Sequence, residues 1–440
     1  MSDQIKKPNR IKPELPSGFR DYGPADAIAK QAMIDTIRKT FERFGFDPLE
    51  TSSVQRTEVL TGGEEDSGKI IFNVKGSQEE TSDSSLRFDL TVPLARFMAA
   101  NPDLPKPFKR YQIGNVWRGE RPQQGRYREF LQADVDIVGS SLIDADAEIA
   151  TIIYTVFKNL GIENFVINYN NRKMLDMLPK FAGFPEEKLW DALRIIDKKD
   201  KIGEDGIRGE LEKNFSGSIA DKILEFLTED FEPTLQGEGF SEYGKIASMI
   251  LQSTGCDVDM VNKFFKLERT LVRGLSYYTG SVFEVTLPDA PEIGSVCGGG
   301  RYDELVSQFT GQNIPAVGVS FGVDRLFAAM EKIGTLKKKQ TLTQVLILQL
   351  DANLKDEYLS MAQELRNAGI NTALYMGDDS MLKGQLNYAL KKEIPYVVIC
   401  GSREKEKNVV TVKNLATREQ QEITREKIVE FFGKQAALCV

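Results

Sequence analysis

Apolar and polar positions alternate most clearly between Phe108 and Gly139, in the stretch FKRYQIGNVWRGERPQQGRYREFLQADVDIVG. Two alternating runs flank a short segment that holds Arg118, Arg121, Arg126 and Arg128 beside Glu120, Pro122 and Gly125. This pattern predicts a β-hairpin with a charged tip. Side chains of an extended strand point to opposite faces in turn. In the second strand Phe130, Gln132, Asp134 and Asp136 therefore share one face, and Leu131, Ala133, Val135 and Ile137 share the other. The apolar face belongs to a core. The polar face offers a ring, an amide and two acids next to four arginines, a set suited to a nucleotide and a small polar co-substrate.

Helical spacing governs much of the flanking sequence. Ile28, Ala32, Ile34, Ile37 and Phe41 predict a helix over 25–44 that ends before Gly45. FDPLETSSV is strand-like, but Pro48 confines it to an edge or an interface. Residues 61–85 are polar around one strand at 69–74, which fits a surface loop or a lid. LRFDLTV alternates again and predicts a strand with Arg87, Asp89 and Thr91 on one face, after which Pro93 opens a helix to about Ala100. An amphipathic helix is predicted over 145–160. The charged stretch 171–261 reads as a helical insertion with a solvated face and no site chemistry.

Strand character returns at Leu271. LVRGLSYYTGSVFEV gathers Arg273, Ser276, Tyr277, Tyr278 and Thr279 between glycines, either a hairpin with buried tyrosines or part of a site. CGGGRYDELVSQF reads as a triple glycine opening a helix; it matches neither a dinucleotide fingerprint nor a phosphate loop. AVGVSFG predicts a strand and VDRLFAAMEKIG a helix. Arg325 in the first turn of that helix opposes the helix dipole, so it either faces an anion or makes a surface salt bridge. Beyond a basic linker, strands at 345–350, 372–376, 396–400 and 409–412 alternate with helices at 355–368, 381–391 and 425–433, the pattern of a small α/β domain. The division expected is a disordered tail (1–17), a core in two parts (18–170 and 262–333) around the insertion (171–261), a linker (334–343) and the α/β domain (344–440).

Composition narrows the chemistry. The 440 residues suffice for two or three domains, and 41% apolar residues supply their cores. A net charge of -8 argues against bulk electrostatic binding of nucleic acid and leaves room for a local basic patch. Cys256, Cys297, Cys400 and Cys439 are far apart and form no C-x-x-C pair, so neither a zinc cluster nor a disulfide framework is indicated. No apolar run reaches the length of a membrane helix and the first residues lack the apolar core of a secretory signal. A cytoplasmic location with no membrane association is expected. The chain contains no histidine. That excludes Ser-His-Asp and Cys-His nucleophiles, histidine-bound metals and imidazole bases. Phosphoryl and nucleotidyl transfer remain, because they depend mainly on positioning and charge neutralisation.

In this order the segments closely resemble the histidyl-tRNA synthetase family of class II aminoacyl-tRNA synthetases, from Gly18 onward. The hairpin looks like class II motif 2, the segment around Pro48 like motif 1 and GVSFGVDRLF like motif 3, while LVRGLSYYTG and CGGGRYDEL look like the two histidine-specific segments. Class I synthetases use a nucleotide signature that contains histidines, which this chain lacks. One departure is Ser276, where the family pattern R-G-L-D-Y-Y carries Asp.

The resemblance implies an α/β protein: an α+β core with the antiparallel class II sheet, a helical insertion and a C-terminal α/β anticodon-binding domain. It implies activation of L-histidine by ATP, accompanied by Mg²⁺, to histidyl-adenylate and pyrophosphate, then transfer to the 3′ end of tRNA(His) by a homodimer formed through motif 1. Arg118 and Arg273 are the implied catalytic residues. Histidine would meet Asp89, Leu90, Thr91, Arg118, Gln132, Asp136, Arg273, Tyr277, Tyr278 and Tyr302. Within that set Asp89, Thr91 and Gln132 would hold the ammonium, and Asp136 with Tyr278 would read the imidazole. ATP would meet Arg118, Glu120, Arg126, Phe130 and Arg325, and the tRNA acceptor end Arg121, Gln123 and Arg128. No metal ligand is implied. Gln132 and Asp136 stand about 13 Å apart along an extended strand, so a twist or bulge is expected to bring them together. The rival is a non-catalytic, histidine-sensing regulatory paralogue, against which stand Arg118, Arg273, Arg325 and the full C-terminal domain.

Overall fold

The computed structural model describes residues 11–62, 71–78, 81–121, 125–228, 237–272 and 278–436. The chain divides into two compact units, one built on Met33–Leu336 with the residues up to Asp21, the other on Lys337–Val440 with Tyr22–Ala32.

In the first unit the strands are β1 (Asp47–Pro48), β2 (Val54–Arg56), β3 (Phe72–Val74), β4 (Ser84–Leu86), β5 (Phe108–Trp117), β6 (Glu129–Val138), β7 (Val166–Asn171), β8 (Phe265–Leu267), β9 (Ser281–Thr286), β10 (Cys297–Arg301) and β11 (Ala316–Gly322). Eight of them form one sheet in the order β1-β5-β6-β11-β10-β9-β7-β8, and β2, β4 and β3 form a small second sheet. Every interior pair of the large sheet is antiparallel; only the outermost pairs, β1–β5 and β7–β8, are parallel. Pro48, which has no N–H to donate, sits in a two-residue strand on that edge.

The β5–β6 hairpin runs unbroken from Phe108 opposite Val138 to Trp117 opposite Glu129. Ala133, Val135 and Ile137 of β6 are buried, as the alternation requires. The helix Ile143–Asn159 packs across this side of the sheet and buries Ile149, Ile152, Ile153, Val156 and Phe157. Phe41, from the helix Pro24–Arg43, meets the rings of Tyr111 and Phe321 at 5.8 Å each. The regular elements described between β7 and β8 are all helices, and several of them close on a core of their own that includes Leu178, Leu193, Ile196, Leu211, Ile223 and Phe226.

Two expected elements differ. LRFDLTV is not one strand: β4 ends at Leu86, and a helix spans Thr91–Ala100. The strand stops because Arg87 turns inward, donating to the carbonyls of Thr51 (2.7 Å) and Asn115 (2.9 Å), while Asp89 accepts the N–H of Val92 at 3.1 Å. Arg87 therefore does not share a face with Asp89 and Thr91. CGGGR is a central strand rather than a helix opening; the helix that follows is a single turn, Ser307–Thr310.

The second unit holds β12 (Val345–Ile347), β13 (Thr372–Leu374), β14 (Tyr396–Ile399), β15 (Val409–Asn414) and β16 (Gln420–Thr424) in the order β13-β12-β14-β15-β16. Tyr358 and Leu365 of the helix Lys355–Asn367 and Phe432 of the helix Ile428–Ala436 cover one face of the sheet, and Ala389 of the helix Leu382–Lys391 covers the other. Strand β16, QQEIT, is absent from the expected pattern. It is an exposed edge strand, so burial imposed no alternation on it. Among the described residues no helix is long and apolar enough to cross a membrane.

Candidate active site

The polar face of β6 looks onto two cavities with a common wall. The first, about 810 Å³ including its open mouth, is lined by Arg118, Glu120, Arg121, Arg126, Tyr127, Phe130, Gln132, Ser295, Cys297, Asp324 and Arg325, among others. That volume suits a nucleotide-sized ligand. The second, about 640 Å³, is lined by Asp89, Thr91, Arg118, Gln132, Asp134, Asp136, Tyr278, Tyr302 and Ser320 over a floor of Gly298, Gly299 and Gly318. Arg118, Gln132, Gly298 and Ser320 belong to both.

Glycine makes the room. A Cβ on Gly299 would overlap the Gly318 carbonyl and the backbone of Val319, and one on Gly318 would overlap the Asp136 carboxylate. The β10 and β11 backbones thus approach as no side chain would allow, and the pocket floor is bare main chain. Gly299→Ala is expected to force the two strands apart at a cost of about 1–3 kcal/mol. Chemical denaturation checks this; a variant as stable as the parent contradicts it.

The first cavity is strongly cationic. Arg325, in the first turn of the helix Val323–Ile333, donates Nη1–H to the Ser295 carbonyl at 2.7 Å. Burial, together with the like charges of Arg126 and Arg118, lowers its pKa to about 10. It stays charged at neutral pH, and an anion entering the cavity relieves the repulsion. Arg118 donates Nε–H to the Phe88 carbonyl at 3.0 Å, and its guanidinium lies 5.1 Å from the centre of the Phe130 ring. Asp324 accepts the Leu131 N–H at 2.6 Å, which ties the Arg325 helix to β6.

In the second cavity burial raises the pKa of Asp89, an effect opposed by the Val92 N–H, Arg118 and Arg110. Asp136 is engaged on both oxygens: Oδ2 lies 2.8 Å from Nη2 of the fully buried Arg110, and Oδ1 accepts the Tyr302 hydroxyl. The expected bulge does not occur. The β6 ladders to β5 and β11 are both continuous, so Gln132 and Asp136 remain at opposite ends of the pocket.

Other sequence candidates fall as follows. Glu120, Arg121 and Arg126 line the first cavity. Arg128 lines neither; its stem packs on Gly18 and its Nε–H reaches the Glu120 carbonyl at 3.3 Å. Leu90 lines neither cavity, because its side chain is buried in the core and its carbonyl accepts from Arg110 at 3.2 Å. Gln123, Arg273, Ser276 and Tyr277 lie outside the described residues. Sequence reasoning missed Ser295, Ser320, Asp324 and above all Arg110. The last had a signal: counting back from the hairpin tip sets it opposite Asp136.

An antiparallel sheet carrying an arginine-lined cleft joined to a small polar pocket is the architecture of a class II aminoacyl-tRNA synthetase. A family model for histidyl-tRNA synthetase matches residues 18–326, and one for an anticodon-binding domain matches 344–435. The histidine–tRNA ligase of Clostridium tetani is 40% identical over 96% of this chain and 99% of its own; that of Aeropyrum pernix is 40% identical over 93% and 95%. The crystal structure of histidyl-tRNA synthetase from Nostoc sp. PCC 7120 superposes with a TM-score of 0.85 at 32% identity, covering 97% of this chain and 100% of that one. The chain belongs to the histidyl-tRNA synthetase family.

Proposed function

We propose that the chain charges tRNA(His) with L-histidine in two steps. In the first, a histidine carboxylate oxygen attacks the α-phosphorus of ATP, the α–β bridging P–O bond breaks, and pyrophosphate leaves with those electrons. In the second, the terminal ribose hydroxyl of the tRNA attacks the histidyl carbonyl and AMP departs. The observation that carries this reading is the shared wall: Arg118 borders both cavities. A carboxylate in the second cavity and an α-phosphate in the first would meet at its guanidinium, which neutralises charge as the bond forms.

In this proposal Arg325 and Arg126 hold the phosphates, Phe130 stacks on adenine near Glu120, and Asp89, Thr91 and Gln132 take the ammonium. Asp136 and Tyr278 read the imidazole, and Tyr302 walls the pocket. Arg273 acts opposite Arg118, with Tyr277 as a further wall. Arg121, Gln123 and Arg128 serve the acceptor end of the tRNA. Mg²⁺ enters as the chelate of the substrate ATP. A homodimer fits the short β1 edge of the large sheet, and a cytoplasmic enzyme fits soluble ATP and tRNA. The division into tail, split core, insertion, linker and anticodon-binding domain is part of the same proposal.

Purified protein should exchange labelled pyrophosphate into ATP only when L-histidine is present, and should then esterify tRNA(His). Absence of histidine-dependent exchange would refute the proposal, and histidine binding without exchange would transfer support to the regulatory rival.

A further inference from the structure

One wall residue of the first cavity is supported from outside the site. Tyr127 lines that cavity, and its hydroxyl accepts Nη1–H of Arg20 at 2.6 Å. The guanidinium carbon of Arg20 also stands 4.9 Å from the centre of the Tyr127 ring. Arg20 itself does not line the cavity.

Arg20 belongs to a short strap, Gly18–Arg20, laid against the open end of the β5–β6 hairpin. The Gly18 carbonyl accepts the Arg128 N–H at 2.8 Å, and the Arg128 carbonyl accepts the Arg118 N–H at 2.8 Å. The strap thus reaches the backbone of Arg118 through two successive hydrogen bonds. Gly18 has a φ of 88°, a conformation that favours glycine, and a Cβ there would overlap the stem of Arg128. Next to it, Phe19 meets the ring of Phe72 in β3 edge-on, with centroids 6.2 Å apart. The same three residues therefore join the hairpin end to the small sheet.

The direction of the Arg20 bond decides what Tyr127 can do. A guanidinium has donors and no acceptor, so the phenol cannot return its proton to Arg20. Among the described residues the bond from Arg20 is the hydrogen bond that Tyr127 makes through its side chain. Its O–H is left for an acceptor within the cavity, and the neighbouring cation strengthens it as a donor. An oxygen of the nucleotide is such an acceptor. The amino acid is not, because Tyr127 borders the first cavity and does not line the second.

Resting on the histidine-activating reading above, we infer that Arg20 is a positioning residue for ATP: it holds Tyr127 so that the phenol donates a hydrogen bond to an oxygen of the bound nucleotide. The strap that carries Arg20 also sets the hairpin end from which Arg118 and Arg126 project. Its effect falls on ATP and not on histidine.

The test uses the full-length protein and the variants Arg20→Ala, Arg20→Lys, Tyr127→Phe and the double variant Arg20→Ala with Tyr127→Phe. Each of Arg20→Ala and Tyr127→Phe is expected to raise the KM for ATP in pyrophosphate exchange about tenfold, with the KM for histidine changed by less than about twofold. Because one residue acts through the other, the double variant should be no more than about twofold worse than either single one. Arg20→Lys keeps a charged donor and should recover part of the loss. Additive losses in the double variant overturn the inference, since Arg20 would then meet the nucleotide independently of Tyr127. An unchanged KM for ATP overturns it as well. So do equal rises in both KM values with a lowered melting temperature, the signature of a strap that only holds the fold together. If the parent protein shows no histidine-dependent exchange, the functional reading falls and this inference with it; normal parental exchange beside unaffected variants removes the role of Arg20 alone.

Discussion

Replacing Arg118 by alanine is expected to slow histidine-dependent ATP–pyrophosphate exchange by about 10²–10³-fold, the usual cost of deleting one preorganised donor at a developing charge. The expectation follows from position. Among the described residues Arg118 is the one cationic side chain that lines both cavities. Its orientation is fixed before any ligand arrives, by the Nε–H bond to the Phe88 carbonyl and by the Phe130 ring. Because attacking oxygen and leaving phosphate both gain stabilisation there only as the bond forms, the loss should fall on kcat more than on either KM. Arg118→Lys should recover little, since a single ammonium cannot keep the Phe88 contact and present a fork to two groups at once. Single-turnover measurement of adenylate formation is the direct check. A variant with unchanged turnover and only a weakened KM would show Arg118 to be a binding residue and no more.

The second large effect is on stability. Asp136→Ala is expected to destabilise the protein by about 3–5 kcal/mol, because it strands a buried charge. Arg110 is 0% exposed, and among the described residues its partners are the Asp136 carboxylate and the Leu90 carbonyl. Nε and Nη1 of the same guanidinium are already without hydrogen bonds, so no spare acceptor waits to take over. Removing both charges should hurt less than removing one: Arg110→Met with Asp136→Leu is expected to regain much of the loss. Urea denaturation of the two variants reads the contrast. Equal stability of Asp136→Ala and the parent would mean that the buried pair contributes nothing.

Much of this fold was legible because burial leaves a periodic trace. The β5–β6 hairpin, its two faces and the helices Pro24–Arg43, Ile143–Asn159 and Val323–Ile333 lie where alternation or helical spacing put them. What escaped was decided by contacts distant in sequence. Arg87 leaves its strand because acceptors from Thr51 and Asn115 await it, and no local pattern encodes them. The glycines of CGGGR looked like a helix opening, whereas the backbone of β11 is pressed against Gly299 and the Ser281 carbonyl of β9 against Gly300. The polar strand Gln420–Thr424 gave no signal because only Ile423 packs on the core and its other four residues are exposed. In the site, residue types were readable and residue partners were not. Asp134 and Asp136 are the same amino acid on the same strand face, and only the surroundings set the Arg110 ion pair and the Tyr302 hydroxyl on Asp136.

The bare floor formed by Gly298, Gly299 and Gly318 bears on how inhibitors of this pocket would fare under selection. A compound resting on that floor touches main-chain atoms, which keep their chemistry whatever the codon. At two of the three floor residues substitution cannot trim the contact: any added side chain at Gly299 or Gly318 collides first with β11 or with Asp136, whereas a Cβ at Gly298 would meet nothing nearer than 3.6 Å. Resistance would have to arise at Gly298 or along the walls, at Tyr278, Tyr302 or the carboxylates, where the proposal places the substrate.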